Sequence, residues 1–166
     1  MSLTSSSHFP RAGFRRRLAS WLYDALIAVA VYMTAGAASF LIISLMVHFG
    51  LFDLQGYQHL SDTIRNTPWL LWPNELWKLG WVSLFFIWFW SKSGQTLGMK
   101  AWRLKVQNQD GSLITKTTAL KRLFPTLFGL GNFTVLVDRK HKLSLQDRLT
   151  NTEVVLLTLE ANRGRL

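Results

Sequence analysis

The sequence has 166 residues, of which 49% are hydrophobic, and a formal charge of +10. A soluble domain of this size rarely combines so apolar and so basic a content. We therefore predict a membrane-embedded domain and exclude a nucleic-acid partner, because the cations flank apolar segments of lipid-spanning length. The absence of cysteine excludes disulfides and thiolate chemistry, and the four scattered histidines predict neither a metal site nor a cofactor.

The chain begins with a polar, basic tail over residues 1–14, which we expect to be disordered. No charged residue occurs between positions 25 and 47. A helix of that length covers about 35 Å, enough for the hydrocarbon core of a bilayer, so we predict a transmembrane helix over about 22–49. Four arginines precede it and predict a cytoplasmic N-terminus: Arg11, Arg15, Arg16 and Arg17.

Asp24 lies at the cytoplasmic end of this helix, seven residues after Arg17. Seven residues are close to two helical turns, so both side chains share a face and we expect them to pair. An ionisable group at this depth is costly unless it is paired or hydrated. Either Asp24 exchanges a proton for a metal cation, with Arg17, Arg122 or Arg148 as countercharges, or it forms an ion pair that fixes the helix to cytoplasmic elements.

Small residues also line the first helix: Ala30, Thr34 and Ala38 recur every four positions, with Ala35, Gly36, Ala37 and Ser39 beside them. Such a spacing favours close helix contact, so we predict packing against the second span or a second copy of the chain. The polar stretch 51–72 is the predicted outer loop. A second, shorter span is predicted over 73–91, in which Lys78 extends to the outer interface.

Beyond the second span the chain becomes basic, and apolar residues alternate with polar ones from Trp102 to Gln107. A turn sequence with Gly111 follows, which predicts a short cytoplasmic β-hairpin over 102–114. Val154 to Leu157 are predicted to add a strand to this hairpin. Residues 161–166 are a polar tail, and we assign 15–160 to one membrane domain.

The third apolar segment, over about 117–137, contains Pro125, Gly129 and Gly131. A complete crossing would place the following basic cluster outside, against the positive-inside rule. We therefore predict a broken or re-entrant helical segment that leaves every Lys and Arg except Arg65 and Lys78 on the cytoplasmic side. A complete third span is the alternative.

Three blocks of the sequence carry a family resemblance: RRLASWLYD at 16–24, GQTLGMKAWRLKVQNQDGSLIT at 94–115 and LSLQDRLTNTEVV at 143–155. In order and spacing they resemble the signature blocks of the RDD family of bacterial membrane proteins, named for one Arg and two Asp. The resemblance assigns these positions to Arg17, Asp24 and Asp147, and Gln146 stands where the family commonly has His. It implies a membrane location and, for some members, transport that includes cation/proton exchange.

Further candidate partners lie near these residues. We expect Asp147 to bind Arg122 or Arg139, to pair with the adjacent Arg148, or to cap a turn. Lys100, within the second block, is a candidate ion partner or phosphate contact.

The predicted fold is thus an all-α membrane protein with two long transmembrane helices, a broken or re-entrant third helical segment and a short cytoplasmic β-hairpin. We expect a multi-pass protein of the bacterial inner membrane. No catalytic triad, HExxH motif or phosphate-binding loop can be placed in the sequence, so no enzyme is expected. Two functions remain open.

The first is a component of cation/proton or small-solute transport that uses the Asp/Arg site. Two or three spans hardly enclose a pathway, so this function predicts a homo-oligomer. The second is an accessory or anchor module that binds a membrane partner protein or anionic lipid headgroups through its basic cytoplasmic side.

Overall fold

The structure, a computed structural model, describes residues 9–127, 130–138 and 140–164. The chain divides into two compact units, which we call the terminal unit (Met1–Leu26 and Phe85–Leu166) and the central unit (Ile27–Leu84). The described helices are α1 (Phe14–His48), α2 (Leu60–Asn66), α3 (Pro68–Lys92), α4 (Leu97–Ala101), α5 (Lys116–Leu127), α6 (Thr134–Val137), α7 (Leu145–Thr150) and α8 (Leu159–Arg163), and the strands are β1 (Leu104–Asn108) and β2 (Thr152–Leu156).

The long apolar helix predicted at the N-terminal end is confirmed as α1. Among the described residues, it is the one helix whose length and composition suit a membrane crossing. Side chains that a soluble protein would bury, such as Leu26 and Met33, are exposed along it. The helix starts at Phe14 rather than near residue 22, so Arg17 lies within its first turns.

In the central unit, α3 covers the predicted second span but begins earlier, at Pro68. Proline is favoured in the first turn of a helix, where its missing N–H removes no hydrogen bond. Exposed aromatic and aliphatic side chains occur along the whole length of α3: Trp72 and Trp81 lie before the unit boundary at Leu84, and Trp88 lies after it. The crossing of a bilayer by α3 stays a prediction.

Within the central unit, α3 packs on a different face of α1 from the predicted one. Ala30, Thr34 and Ala38 are exposed. The contacts involve Ala35, whose carbonyl accepts the Trp77 indole N–H at 3.2 Å, and Gly36, where an added Cβ would lie 3.3 Å from Lys78 Cδ. Small residues thus let the two helices approach at the neighbouring positions 35 and 36, and packing of Ala30, Thr34 and Ala38 against a second copy of the chain stays a prediction.

The terminal unit contains a two-stranded antiparallel sheet in which Leu104 pairs with Leu156 and Val106 with Val154. The predicted pairing of the tail strand is therefore confirmed. The predicted hairpin is wrong, because residues 112–114 turn back beside Asn108 but form no strand. Residues Leu104 to Gln107 are all buried, so β1 is covered on both faces although apolar and polar residues alternate along it.

The N-terminal segment also departs from the prediction. Residues 9–14 are not a free tail: Arg11 bridges to Val155, and the Pro10 carbonyl and Ala12 N–H bond to Leu156 and Val154 at 2.8 and 2.9 Å. This segment therefore covers the free edge of β2. Residues 1–8 lie outside the described part of the chain, as do 165–166 of the predicted C-terminal tail.

The third segment is broken, as predicted. It consists of α5, a 3-10 turn at Leu130–Asn132 and α6. At 1.5 Å per residue, α5 is about 18 Å long, shorter than the hydrocarbon core of a bilayer, and the alternative of a complete third span stays untested. Gly129, where we placed part of the kink, lies outside the described residues. The re-entrant placement of this segment stays a prediction.

Candidate charged site of the terminal unit

The centre of the candidate site is the carboxylate of Asp147, which lies between two arginines. Arg17 Nη1 is 2.6 Å from Asp147 Oδ2, and Arg122 Nη2 is 2.9 Å from Oδ1. All three side chains are at least 96% buried. One residue each from α1, α5 and α7 is therefore joined in a single ionic cluster with one negative and two positive charges.

The remaining donors of Arg17 are also used. Its guanidinium donates to the carbonyls of Ala12 and Lys142 at 3.1 and 3.0 Å and to Ser144 Oγ at 3.2 Å. Arg122 donates to the hydroxyls of Thr150 and Thr152. Both guanidiniums thus bind several parts of the terminal unit at once, which is the arrangement that offsets the cost of burying a charge.

The position of Asp147 is fixed by the start of α7. Ser144 precedes the helix, and its hydroxyl accepts the Asp147 N–H at 3.4 Å while Asp147 Oδ2 accepts the Ser144 N–H at 3.1 Å. This reciprocal capping box holds the carboxylate at the first turn of the helix, where the exposed N–H groups also favour a negative charge.

The electrostatics of the cluster favour a carboxylate that is charged at neutral pH. Burial by itself raises the pKa of Asp147, but the guanidiniums of Arg17 and Arg122 and the Ser144 N–H together hold that pKa below its usual 3.8. At neutral pH the carboxylate therefore holds no proton that it could exchange.

Asp24 is bound elsewhere. One of its oxygens, Oδ2, accepts the Thr96 hydroxyl at 2.5 Å, and Oδ1 accepts the Gly98 N–H at 2.9 Å. The Asp24 side chain is buried and ties α1 to the first turn of α4. Glycine is required at 98, because a Cβ there would lie 2.5 Å from the Ser20 carbonyl oxygen.

The expected ion pair between Arg17 and Asp24 is therefore wrong. Residues seven apart are separated by about 10.5 Å along a helix, whereas ion pairs within a helix join residues three or four apart. Both side chains leave α1 on the same face and contact other helices of the terminal unit. Arg17 binds α7, and Asp24 binds α4.

The candidate partners of Asp147 have different outcomes. Arg122 binds it, as expected. Arg148 does not: its guanidinium binds Asp138 at 2.7 Å and is largely exposed. The Lys100 side chain forms no ion pair among the described residues, and the Lys100 carbonyl accepts from Asn162. Arg139, the other expected partner, lies outside the described residues.

The sequence reasoning did not identify Ser144, Thr96 or Gly98 as contributors. A signal for Ser144 was available, since serine three residues before an acidic residue is typical of a helix N-terminus. No local signal links Asp24 to Thr96, because the two are 72 positions apart. Gln146, at the position where the family commonly has His, donates to Asn132 Oδ1 at 2.9 Å.

A second feature of the terminal unit is a basic cleft of about 400 Å³. Its lining includes Arg11, Lys140, His141 and Lys142. The one acidic lining residue, Glu153, is 99% buried and is bonded to Arg11 at 2.8 Å and to Gln107 at 3.1 Å. The two lysines and the histidine are exposed at its rim. The cleft therefore offers positive charge to a ligand in solution or at a surface.

Comparison with known proteins identifies the family. The sequence model described as the RDD family matches residues 11–151, which include Arg17, Asp24 and Asp147. No curated protein matches the chain. No solved structure matches it either.

Proposed function

The chain belongs to the RDD family of membrane proteins, and from this premise we propose that it is a non-catalytic membrane module that binds anionic lipid headgroups through its basic cleft. The observation that carries the proposal is that Lys140 and Lys142 are exposed on one 400 Å³ cleft, in which the single carboxylate of the described lining, Glu153, is already paired with Arg11. Guanidinium and ammonium groups bind phosphate through charge-assisted hydrogen bonds.

The geometry of the ionic cluster supports a structural role for the family residues. Arg17 and Arg122 hold the Asp147 carboxylate with both of its oxygens occupied. An ion that replaced either guanidinium would leave a buried charge unpaired, at a cost of several kcal/mol. The cluster is thus suited to joining α1, α5 and α7 rather than to exchanging ions.

Exposed apolar side chains of the terminal unit support contact with a lipid surface. On α5, Leu120 and Phe124 are 52% and 75% exposed, and on α6 Leu136 and Val137 are 44% and 90% exposed. Exposed aliphatic and aromatic residues on a unit that also carries exposed cations are typical of elements that lie in the headgroup region. We propose that this unit lies at the cytoplasmic leaflet, where anionic lipids attract juxtamembrane cations.

Lipid-dependent stabilisation of the purified protein tests this function. In dodecyl maltoside we expect monomeric short-chain phosphatidylglycerol, but not phosphatidylcholine, to raise the melting temperature. The double variant Lys140→Gln/Lys142→Gln should lose most of that shift, because ligand binding stabilises in proportion to affinity. The matched control is Lys116→Gln/Lys121→Gln, which removes the same charge from exposed positions outside the cleft. Equal loss in both variants, or no lipid preference, would contradict the proposal.

Sidedness is tested in cells with the natively cysteine-free chain. Single cysteines replace the exposed residues Ser61 and Lys121. A membrane-impermeant maleimide should label position 61 in intact cells and position 121 only after lysis. Labelling of both positions from outside would refute the cytoplasmic placement of the terminal unit.

One observation favours a second function, a component of ion-coupled transport. Asp24 is a buried carboxylate within α1, and the described groups that bond to it are neutral donors. Such a carboxylate can exchange a proton without breaking an ion pair, and a homo-oligomer would supply the pathway. In proteoliposomes with an imposed cation gradient, Asp24→Asn should abolish proton movement while the protein stays folded. Proton movement that persists in the folded variant would exclude this role.

A further inference from the structure

We infer that the central unit contains a second anion site, which binds a phosphate group between α1, α2 and α3. This inference goes beyond the proposed function. It concerns a cleft of about 250 Å³ whose lining includes Ser39 of α1, Ser61 and Arg65 of α2, and Asn74 and Glu75 of α3. The volume is several times the roughly 30 Å³ that one water molecule occupies in the liquid.

Three helix faces meet at this cleft. Ser61 and Arg65 are four residues apart on α2, and Leu71, Asn74 and Lys78 follow at intervals of three and four on α3. Both spacings place side chains on one side of a helix. The lining is thus built from aligned side chains of helices rather than from an irregular loop.

The acidic group in the lining is already neutralised. Glu75 Oε1 accepts from Lys78 Nζ at 2.6 Å, and Oε2 accepts from the Tyr32 hydroxyl at 2.5 Å. The Lys78 ammonium also lies 4.6 Å from the centre of the Tyr32 ring. An incoming anion therefore meets a balanced pair at this wall of the cleft rather than an uncompensated carboxylate.

The other polar groups leave donors available. The Asn74 Oδ1 atom accepts the Ser39 hydroxyl at 2.6 Å, which directs the amide nitrogen of Asn74 elsewhere. Among the described residues, no acceptor bonds to that nitrogen, to the Ser61 hydroxyl or to the Arg65 guanidinium. The cleft thus combines one net positive charge with donors from two helices.

These donors fit phosphate best. A guanidinium binds two oxygens of a phosphate side by side, and the Asn74 amide and the Ser61 hydroxyl supply two further donors in the same lining. A carboxylate has two oxygens and would leave part of this set unused. A metal cation would find Arg65 and Lys78 in the same lining, which disfavours its binding. The phosphate can belong to a free anion or to a lipid headgroup.

Calorimetric titration of the full-length protein in dodecyl maltoside and phosphate-free buffer tests the site. The background is Lys140→Gln/Lys142→Gln, so that the basic cleft does not contribute. One arm titrates inorganic phosphate and the other monomeric short-chain phosphatidylglycerol. We expect Arg65→Gln to weaken binding roughly tenfold or more, the effect of losing charge-assisted hydrogen bonds.

Arg15→Gln is the matched control, since Arg15 is exposed and lies outside the cleft. Asn74→Asp is a second, nearly isosteric test. It replaces the amide donor with a carboxylate and should also weaken phosphate binding. Binding in the phosphate arm that depends on Arg65 identifies a free anion, and such binding in the lipid arm alone identifies a headgroup. The absence of binding in both arms, equal affinity in Arg65→Gln, or equal weakening by Arg15→Gln would overturn the inference. Because the basic cleft is disabled throughout, failure here leaves the proposed function intact.

Discussion

The Gly98 N–H donates to the Asp24 carboxylate at 2.9 Å, in a contact so close that position 98 has no space for a Cβ atom. Asp24 belongs to α1 and Gly98 to α4, 74 positions later in the chain. The second aspartate, Asp147, is held by its own partners, Arg17 and Arg122. The two acidic residues therefore attach α1 to different elements of the terminal unit.

Gly98→Ala should destabilise the protein by about 1 to 3 kcal/mol, the usual cost of overpacking a tight contact. The added methyl would lie 2.5 Å from the Ser20 carbonyl oxygen and 2.7 Å from Asp24 Oδ1. Thermal unfolding followed by tryptophan fluorescence measures the effect. Gly80→Ala is the control, because nothing lies within 4 Å of a Cβ at that helical position. We expect it to be neutral or slightly stabilising, and an equal loss in both variants would refute the contact.

Asp147→Asn should be among the most damaging conservative substitutions in the chain. It leaves two buried guanidiniums without a countercharge, a change that costs about 3 to 5 kcal/mol. Asp138→Asn breaks a pair whose arginine is 56% exposed and should lower the melting temperature far less than Asp147→Asn at neutral pH. Comparable melting temperatures for these two variants would contradict the assigned role of the cluster.

The same carboxylate predicts an acid-dependent loss of stability. Because the folded pKa of Asp147 lies below 3.8, its contribution is complete above that pH and is lost as the pH falls through the folded value. The pKa of Asp138 is lowered to about 2, mainly by the His141 N–H, so its contribution is lost between about 3.8 and 2. We expect the melting temperature to be constant from pH 7 to 5 and to fall below pH 4.

Each variant identifies its own part of that fall. Asp147→Asn should have a lower melting temperature at pH 7 and lose less of it in acid than the wild type. Asp138→Asn should remove only the smaller part of the acid-dependent loss, which comes from the exposed Asp138–Arg148 pair. A wild-type protein whose unfolding is independent of pH down to 3 would exclude a charged Asp147 at the centre of the cluster.

Ser144→Ala should cost more than removal of an ordinary helix cap, which is typically worth about 0.5 to 2 kcal/mol. The Ser144 hydroxyl both caps α7 and accepts from Arg17 at 3.2 Å. Thr158→Ala is the matched comparison, since Thr158 caps α8 at an exposed position and its hydroxyl, among the described residues, accepts the Ala161 N–H and makes no other bond. Chemical denaturation of both variants measures the difference. Equal losses would show that the bond to Arg17 contributes nothing.

Features that depend on a continuous run of residues were predictable. The charge-free stretch after Asp24 indicated α1, since helix length follows directly from residue count. The alternation of apolar residues indicated β1, and Pro125 and Gly131 indicated the break in the third segment. In each case the physical cause lies within a few neighbouring positions.

Partners were harder to predict because they are distant in sequence. Arg17 and Asp147 are 130 positions apart, and no local pattern selects Asp147 over Asp24 as the acid that Arg17 binds. Helical periodicity gave the shared face of Arg17 and Asp24 correctly. Periodicity does not indicate which groups pack against that face. The two side chains are also too far apart along the helix for Arg17 to bind Asp24.

The strand predicted at 112–114 is absent for a similar reason. A turn containing Gly111 is present, and Asn108 bonds to Ser112 across it at 2.9 Å. Strand β1 nevertheless pairs with β2. This pairing buries Val106 and Val154 against each other, whereas Ser112 and Leu113 are exposed and would bury less apolar surface. Burial on both faces of a strand is decided by the whole unit.

The sheet of the terminal unit also determines when this unit can finish folding during synthesis. Its members, residues 10–12, β1 and β2, come from the start, the middle and the end of the chain. The ribosome therefore delivers α1 long before β2 exists, and Arg17 must wait for Asp147 while α1 is already available for insertion. A nascent chain that stalls before Asp147 would present an arginine without its carboxylate and an open strand edge to chaperones and proteases.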